Sequence, residues 1–284
     1  MAREKERAVL LLEQMDALGT AAMAVGARDL SLGTGFLSQT VKGKKLKLLS
    51  ANLVDAEGKL LFAASTVVKV GGVKFGVVGV SPSGPVSTAK GVNGLPPTKA
   101  ALSEARRLRE QEKVDVVVVL AALPQAELQP LSVQVGTTVD FILQSHEGRA
   151  FLPRRNDFAV LLGAGERGRQ VARLELSLDG KGPFQDLSSA ERAQQGVKLV
   201  EENLQQARRS LAAAKDETVR ASWRETIASL EKRVQELTLE TKLVGKAGER
   251  TFRFSYLQLG SDVVDDPEVK RRVERIEPPG SASH

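Results

Sequence analysis

The stretch "VDVVVVLAALPQAELQPL", Val114 to Leu131, sets the pattern for the fold of this chain. Five apolar residues follow Asp115, which is typical of a buried strand, and the residues from Pro124 onward predict a polar loop. Between them lies "AAL", Ala121–Leu123, whose side chains cannot bind a metal, donate a proton or attack a bond. The sequence therefore predicts a core strand that ends without reactive groups.

Similar short apolar segments alternate with amphipathic ones over the first 185 residues. Residues 4–19 predict a helix, and "AAMAV" (Ala21–Val25) predicts a short buried strand. Two strands are predicted around a Gly71-Gly72 hairpin turn. A charged helix over 97–112 precedes the Val114 strand, and "TTVDFILQS" after it predicts another strand. This alternation favours an α/β layered domain.

Residues 189–243 follow a different pattern. Apolar residues recur every three or four positions in two runs, one through Val197 and Leu204 and the other through Trp223 and Leu237, with a break at Asp216. This spacing predicts an antiparallel helical hairpin or coiled coil. Two helices alone leave apolar surface exposed, so a homo-oligomer through this hairpin is a further hypothesis.

The chain closes with a strand and a capped helix. "RTFRFSYLQLG" alternates as a strand does, and Asp266-Pro267 is typical of a helix start. The predicted organisation is an α/β domain over 1–185, a hairpin over 186–245, a closing strand and helix over 246–276, and a disordered tail over 277–284.

Composition excludes several classes of function. Lys and Arg number 41 against 35 Asp and Glu, and the excess is too dispersed, with too few aromatic residues nearby, to favour nucleic-acid binding. Cysteine is absent, which excludes disulfides and thiolate metal sites, and the only histidines are His146 and His284. No apolar run is long enough to span a membrane.

One motif matches a nucleotide-binding spacing. Gly163, Gly165 and Gly168 follow a strand at the spacing of a dinucleotide-binding turn, but that turn requires a helix next. Leu174, Leu176 and the polar residues between them alternate with period 2 instead. We therefore predict a second strand and interpret the glycines as a β-hairpin turn.

Several segments, in order, resemble the 5′-nucleotidase branch of the calcineurin-like metallophosphoesterases. They include "LLLEQMDALGTAAMAVGARDLSLGTGFL", "KLLSANLVDAEGKLLF", "KVDVVVVLAAL" and "TVDFILQSHEG", and the match covers roughly residues 5–180. The resemblance implies a four-layer α/β/β/α sandwich, N-terminally incomplete here, with the helical hairpin as an insertion. It also implies two metal ions at the strand ends, where a metal-bound hydroxide attacks phosphorus.

The family's ligand motifs are degenerate in this chain. Its Gly-Asn-His-Glu motif falls on Gly26, Ala27, Arg28 and Asp29, and its Ser-His pair falls on Ala121 and Ala122. Of its Gly-His-x-His motif only His146 remains as a ligand position, since Gly148 replaces the second histidine. The family's first strand, with its Asp-x-His, has no counterpart, which suggests a truncated start.

These replacements lead to two expectations about cofactors. Alanine has no donor atom, and Arg28 would repel a divalent cation, so no metal cofactor is expected. A cationic pocket for an anion, made by Arg28, Arg149, Arg154 and Arg155, is a weaker hypothesis than four surface arginines.

The resemblance therefore implies a metallophosphoesterase-like protein that has lost catalysis, either a pseudoenzyme or a binding module. The alternative is an active or residual phosphohydrolase of nucleotides or phosphate esters, using a Mn, Zn or Mg pair and a site partly supplied upstream. By family, the location is the periplasm or cell envelope if an upstream leader exists.

Overall fold

The computed structural model describes residues 2–145, 151–165, 168–242 and 248–278. The chain divides into two compact units, the first comprising residues 1–172 and 257–284 and the second residues 173–256. Among the described residues, no helix is both long enough and apolar enough to cross a membrane.

The described residues form helices and strands that follow one another along both units. The helices are α1 (Ala2–Ala17), α2 (Thr34–Thr40), α3 (Pro97–Arg107), α4 (Gln125–Gln134), α5 (Leu187–Ala213), α6 (Glu217–Glu240) and α7 (Pro267–Ile276). The strands are β1 (Ala22–Ala24), β2 (Lys47–Leu49), β3 (Leu53–Val54), β4 (Ser65–Val70), β5 (Val73–Val80), β6 (Gly84–Pro85), β7 (Asn93–Gly94), β8 (Val116–Ala121), β9 (Phe141–Gln144), β10 (Arg154–Asn156), β11 (Ala159–Gly163), β12 (Gln170–Ser177), β13 (Lys181–Asp186) and β14 (Glu249–Gln258).

A six-stranded sheet forms the centre of the first unit. Its strand order is β10-β11-β9-β8-β5-β4, with parallel pairing from β11 to β5 and an antiparallel strand at each edge. Strand β8 contains the fully buried residues Val116, Val117 and Val119, which confirms the predicted core strand. Gly71 and Gly72 both have positive φ and join β4 to β5, as predicted.

The mixed α/β character predicted from the sequence is confirmed, and two apolar clusters stabilise it. One cluster packs Ala101, Ala105 and Leu128 against the central sheet. The other surrounds the two-stranded parallel sheet β1-β2 and includes Leu12 and Leu30.

The predicted loop after Pro124 is wrong, because the structure has the helix α4 there. Leu128 and Leu131 are three residues apart and fully buried, so packing against the sheet stabilises a helix despite Pro130 within it. The predicted strand after Thr137 begins only at Phe141, because residues 136–138 form a 3-10 turn.

The period-2 pattern after Gly168 is confirmed as strand β12, but the predicted hairpin turn is wrong. Strand β11 belongs to the central sheet, whereas β12 pairs with β14 in a separate sheet of order β12-β14-β13. The glycine-containing segment therefore joins two sheets. Residues 166–167 within it lie outside the described part of the chain.

The second unit contains that small sheet and the predicted helical hairpin. Helices α5 and α6 pack against each other, and Asp216 caps α6 by accepting a hydrogen bond from the Val219 N–H at 3.0 Å. In the first unit, Asp266 caps α7 in the predicted way, accepting from the N–H groups of Glu268 and Val269. The tail from residue 279 lies outside the described residues.

A buried ion pair fixes the start of β8 against the start of β9. The Asp140 side chain is fully buried, and its Oδ2 accepts hydrogen bonds from Arg109 at 2.5 Å and from the Val117 N–H at 2.8 Å. Arg109 also donates to the Val114 and Thr138 carbonyls. One arginine thus joins the π-helical turn at Leu108–Glu112 to two core strands.

We predict that Asp140→Ala lowers the free energy of unfolding by about 3 kcal/mol, because it leaves a partly buried guanidinium without its partner. Glu112→Ala is the matched control, since the Arg107–Glu112 pair is half-exposed and is worth about 0.5 kcal/mol. Urea denaturation of both variants measures the difference, and equal losses would contradict the role assigned to Asp140.

Candidate functional site

The ends of β1 and β8 meet at one point in the first unit. A Cβ atom built on Gly26 would lie 3.5 Å from the Ala122 Cβ and 3.4 Å from Asp29 Oδ2. The loop after β1 and the loop after β8 therefore adjoin, as the resemblance implies. The side chain that β8 presents at this junction is the methyl group of Ala122, which is 5% exposed.

Asp29 closes the loop after β1. Its Oδ2 accepts a hydrogen bond from the Gly26 N–H at 2.7 Å, and its own N–H donates to the Gly26 carbonyl at 3.2 Å. Burial raises the pKa of the Asp29 carboxyl above its ordinary value, and the Gly26 hydrogen bond only partly offsets this. The carboxylate thus has a local structural partner within its own loop.

A buried polar network holds the ends of β2 and β5 together. The Asn52 side chain is fully buried, and its Nδ2 donates to the carbonyls of Ser81 at 2.7 Å and Leu95 at 2.8 Å. Its Oδ1 accepts from the Ser81 N–H at 2.8 Å. The Ser50 and Ser81 hydroxyls lie 2.8 Å apart, and the Ser81 hydroxyl donates to the Val25 carbonyl at the end of β1.

This network was missed by the sequence reasoning, although a signal was present. Ser50 and Ser81 directly follow buried strands, and Asn52 lies in an otherwise apolar segment. Strands β2 and β5 belong to different sheets, and the residues after them meet because the two strands end close together. These residues can be recognised as a cluster only when the strand order is known.

The candidate residues of the first loop have different environments. Ala27 is half-buried, and its carbonyl accepts a hydrogen bond from Thr88 Oγ1 at 2.7 Å. Arg28 is exposed and lines an apolar cleft of about 410 Å³ together with Met23 and Phe36.

The other arginines lie elsewhere in the first unit. Arg154 and Arg155 are consecutive residues of β10, so their side chains leave opposite faces of that edge strand. The Arg154 guanidinium lies 5.4 Å from the Phe151 ring centroid. Three strand intervals, about 14 Å, separate β10 from β8. His146 and Arg149 lie outside the described residues.

The side chains at this junction do not fit a pair of divalent cations. Such ions require several carboxylate, amide or imidazole donors, whereas Ala27 and Ala122 offer methyl groups. The Asp29 and Asn52 oxygens already accept backbone hydrogen bonds. Within the described ranges, no group of three His, Asp or Glu side chains is placed to hold a metal.

Comparisons with known proteins agree with this architecture. No family model matches the chain. A stretch of 109 residues is 32% identical to an apyrase of Tabanus yao, covering 36% of this chain and 19% of the apyrase.

Solved structures extend the likeness over more of the chain. A 5′-nucleotidase precursor from Thermus thermophilus is 25% identical with a TM-score of 0.51, over 60% of this chain and 38% of that one. The calcineurin-like phosphoesterase YfkN from Bacillus subtilis is 14% identical with a TM-score of 0.57, over 94% of this chain and 72% of that one. The chain thus spans well under half the length of the apyrase and of the Thermus protein.

The fold is therefore that of the calcineurin-like phosphoesterases. Among proteins of that fold, the chain is similar to a 5′-nucleotidase precursor over 60% of its own length.

We predict that Asn52→Ala destabilises the first unit by about 3 kcal/mol or more, because it leaves the Ser81 N–H and two carbonyls buried without partners. Asn93→Ala, at an exposed position of β7, is the control and should have little effect. Thermal unfolding followed by circular dichroism compares them. An unchanged midpoint for Asn52→Ala would show that the network contributes no stability.

The raised pKa of Asp29 gives a pH prediction. Because the folded protein holds this proton more tightly than the unfolded chain, stability falls as pH rises from the unfolded pKa through the folded one. Asp29→Asn keeps an oxygen acceptor for the Gly26 N–H but cannot ionise. The stability of the wild type relative to Asp29→Asn should therefore decrease over that rise in pH.

Denaturation midpoints from pH 3.5 to pH 7 measure this difference, and a difference that is constant with pH would contradict it. Asp29→Ala separates the effect of the hydrogen-bond acceptor from the effect of ionisation. It removes the acceptor as well, so it should be about 1.5 kcal/mol less stable than Asp29→Asn at every pH at which the loop is folded.

Proposed function

We propose that this chain is a metallophosphoesterase-like module without phosphoesterase catalysis. The observation that carries the proposal is the buried methyl group of Ala122 beside Gly26, at the point where the loops after β1 and β8 adjoin. A two-metal mechanism needs donor atoms there to hold the ions that activate water and neutralise the phosphoryl oxygens. The residues at this junction supply no such atom from β8.

Charge supports the same conclusion. Arg28 places a permanent positive charge in the loop after β1, next to the positions that resemble the family's ligands. A guanidinium repels a divalent cation and favours an anion. Ala27 beside it adds no donor side chain, so this loop has the opposite electrostatic character to a metal-binding loop.

The buried polar groups of the described residues are well satisfied. The Asn52 network is fully hydrogen-bonded, and in the part of the chain that is described no buried side-chain polar atom lacks a partner. Retention of the fold without the donors supports a binding or structural function.

The second candidate is a metal-dependent phosphohydrolase acting on nucleotides or phosphate esters. It is favoured by the local 32% identity to an apyrase and by the likeness to a 5′-nucleotidase precursor. This candidate needs donors from outside the described residues, since Ala27 and Ala122 remain alanines whatever segment is added. Metal content and turnover distinguish the two candidates.

We predict that the purified chain, incubated with Mn²⁺, Zn²⁺ or Mg²⁺ and then desalted, retains far less than one ion per molecule by elemental analysis. It should hydrolyse AMP, ATP and p-nitrophenyl phosphate no faster than buffer does. The triple variant Ala27→Asn, Arg28→His, Ala122→His is the matched comparison, because it returns donor side chains to the same loops. Higher metal retention by this variant would show that those three positions limit binding.

Two tightly held ions in the wild type, or chelator-sensitive turnover of about 1 s⁻¹ or faster, would overturn the proposal in favour of the phosphohydrolase.

A further inference from the structure

The hairpin of the second unit has an apolar face that its two helices only partly cover. The half-buried members on α5 are Val197, Val200 and Leu211, and those on α6 are Trp223, Ile227, Leu230 and Val234. Together with the buried Leu204 and Ala207 on α5, these positions are spaced by three or four residues along each helix, so they form one continuous stripe. The half-covered parts of this stripe can accept a second layer of helices.

The two edges of this stripe differ in charge. One edge is closed by an ion pair between the helices, in which Arg208 donates to Glu231 at 2.7 Å. The opposite edge carries Asn203 and Ser210 on α5 and Val219 and Thr226 on α6. These four side chains are small and uncharged, so a neighbouring helix can approach the part of this edge near the turn without burying a charge, whereas Arg233, seven residues after Thr226, adds a charge toward the open end.

Charge is also segregated along the length of the hairpin. Residues 203–230, which surround the turn, contain five Lys or Arg and three Asp or Glu, a net charge of +2. Residues 187–202 and 231–240, at the other end, contain four Lys or Arg and six Asp or Glu, a net charge of −2. Two hairpins aligned head to tail would place each positive half against a negative half.

We propose that two copies of this chain associate through their hairpins to form an antiparallel four-helix bundle. The neutral edge of each hairpin, which carries Asn203, Ser210, Val219 and Thr226, faces the neutral edge of the other copy. The turn of each hairpin then lies beside the open end of the other, where α5 begins and α6 ends. Oppositely directed hairpins related by a two-fold axis give the self-complementary contact that closed dimers require. This inference does not rest on the proposed loss of catalysis.

The dimensions are sufficient for a stable dimer. Helices of 27 and 24 residues are about 40 and 36 Å long, and a face two helices wide measures about 20 Å across. The overlap then buries about 700 Å² per copy, or about 1,400 Å² in total. That area lies within the range of stable protein interfaces.

The test is the mass of the full-length chain in solution. Multi-angle light scattering should give twice the 30.5 kDa monomer mass at micromolar concentration. The double variant Asn203→Lys, Thr226→Lys places two charges on the neutral edge and should reduce the mass to that of the monomer. A wild type that stays monomeric up to about 100 μM, where even weak dimers form, would overturn the proposal.

A matched variant keeps the test specific. Gln205→Lys, Ala228→Lys adds the same two charges at exposed positions two residues further along each helix, on the side of the helices away from the neutral edge, and should remain dimeric. Helix content by circular dichroism should be equal for both double variants. If the dimer persists with charges on the neutral edge, this edge is not the interface. The same conclusion follows if both double variants dissociate the dimer equally.

The head-to-tail arrangement has its own measurement. Reversing two charges of the turn half with Arg209→Glu, Lys215→Glu should weaken the dimer at least tenfold at low salt, with a smaller effect at high salt. A dimer strengthened by this reversal would indicate parallel hairpins and overturn the arrangement.

Discussion

The first unit depends on the hydrogen bonds made by the side-chain amide of Asn52. This amide joins the ends of β2 and β5 by satisfying backbone groups that no strand can pair, and Ser81 extends the connection to the end of β1. Parallel strands end in backbone groups that need partners, and inside a protein water cannot supply them. A single buried side chain with two donor hydrogens and one acceptor oxygen meets that need at the point where three strands converge.

In the first unit, the side chains that hold the strand ends together differ from those that could contact a ligand. The residues that hold the strand ends together are polar and fully hydrogen-bonded, whereas the neighbouring positions that could face a ligand are Ala27, Arg28 and Ala122. Stability depends on the first set, and the resemblance to phosphoesterases implies that catalysis would depend on donors at the second. A chain can therefore keep the phosphoesterase fold while the chemistry at its strand ends changes, because the two sets of side chains do not overlap.

The second unit is stabilised by a different kind of contact. Its helices cover each other along one stripe only. Their charges differ between the turn and the open end of the hairpin and between the two edges of the stripe. A long two-helix element of this kind buries less apolar surface than a domain core does. The proposed bundle would supply the missing cover with a second copy of the same surface, which needs no other partner protein.

The sequence by itself determined the elements with strong periodicity. The Val116–Leu120 strand, the Gly71-Gly72 turn, the two hairpin helices and the Asp266 cap all follow from local spacing, because each pattern suits one backbone geometry. The loss of ligand residues that the resemblance implies is likewise a prediction from the sequence, since it is a matter of residue identity. The close contact of Gly26 with Ala122, 96 residues further along the chain, required the structure.

Tertiary structure decided the remainder. Packing of Leu128 and Leu131 made a helix of a segment whose prolines predict a loop, and strand pairing sent β11 and β12 to different sheets although they are consecutive. The Asn52 network likewise exists only because β2 and β5 end side by side. Contacts between distant segments outweigh local preference when burial is worth more than the few tenths of a kcal/mol that separate local conformations.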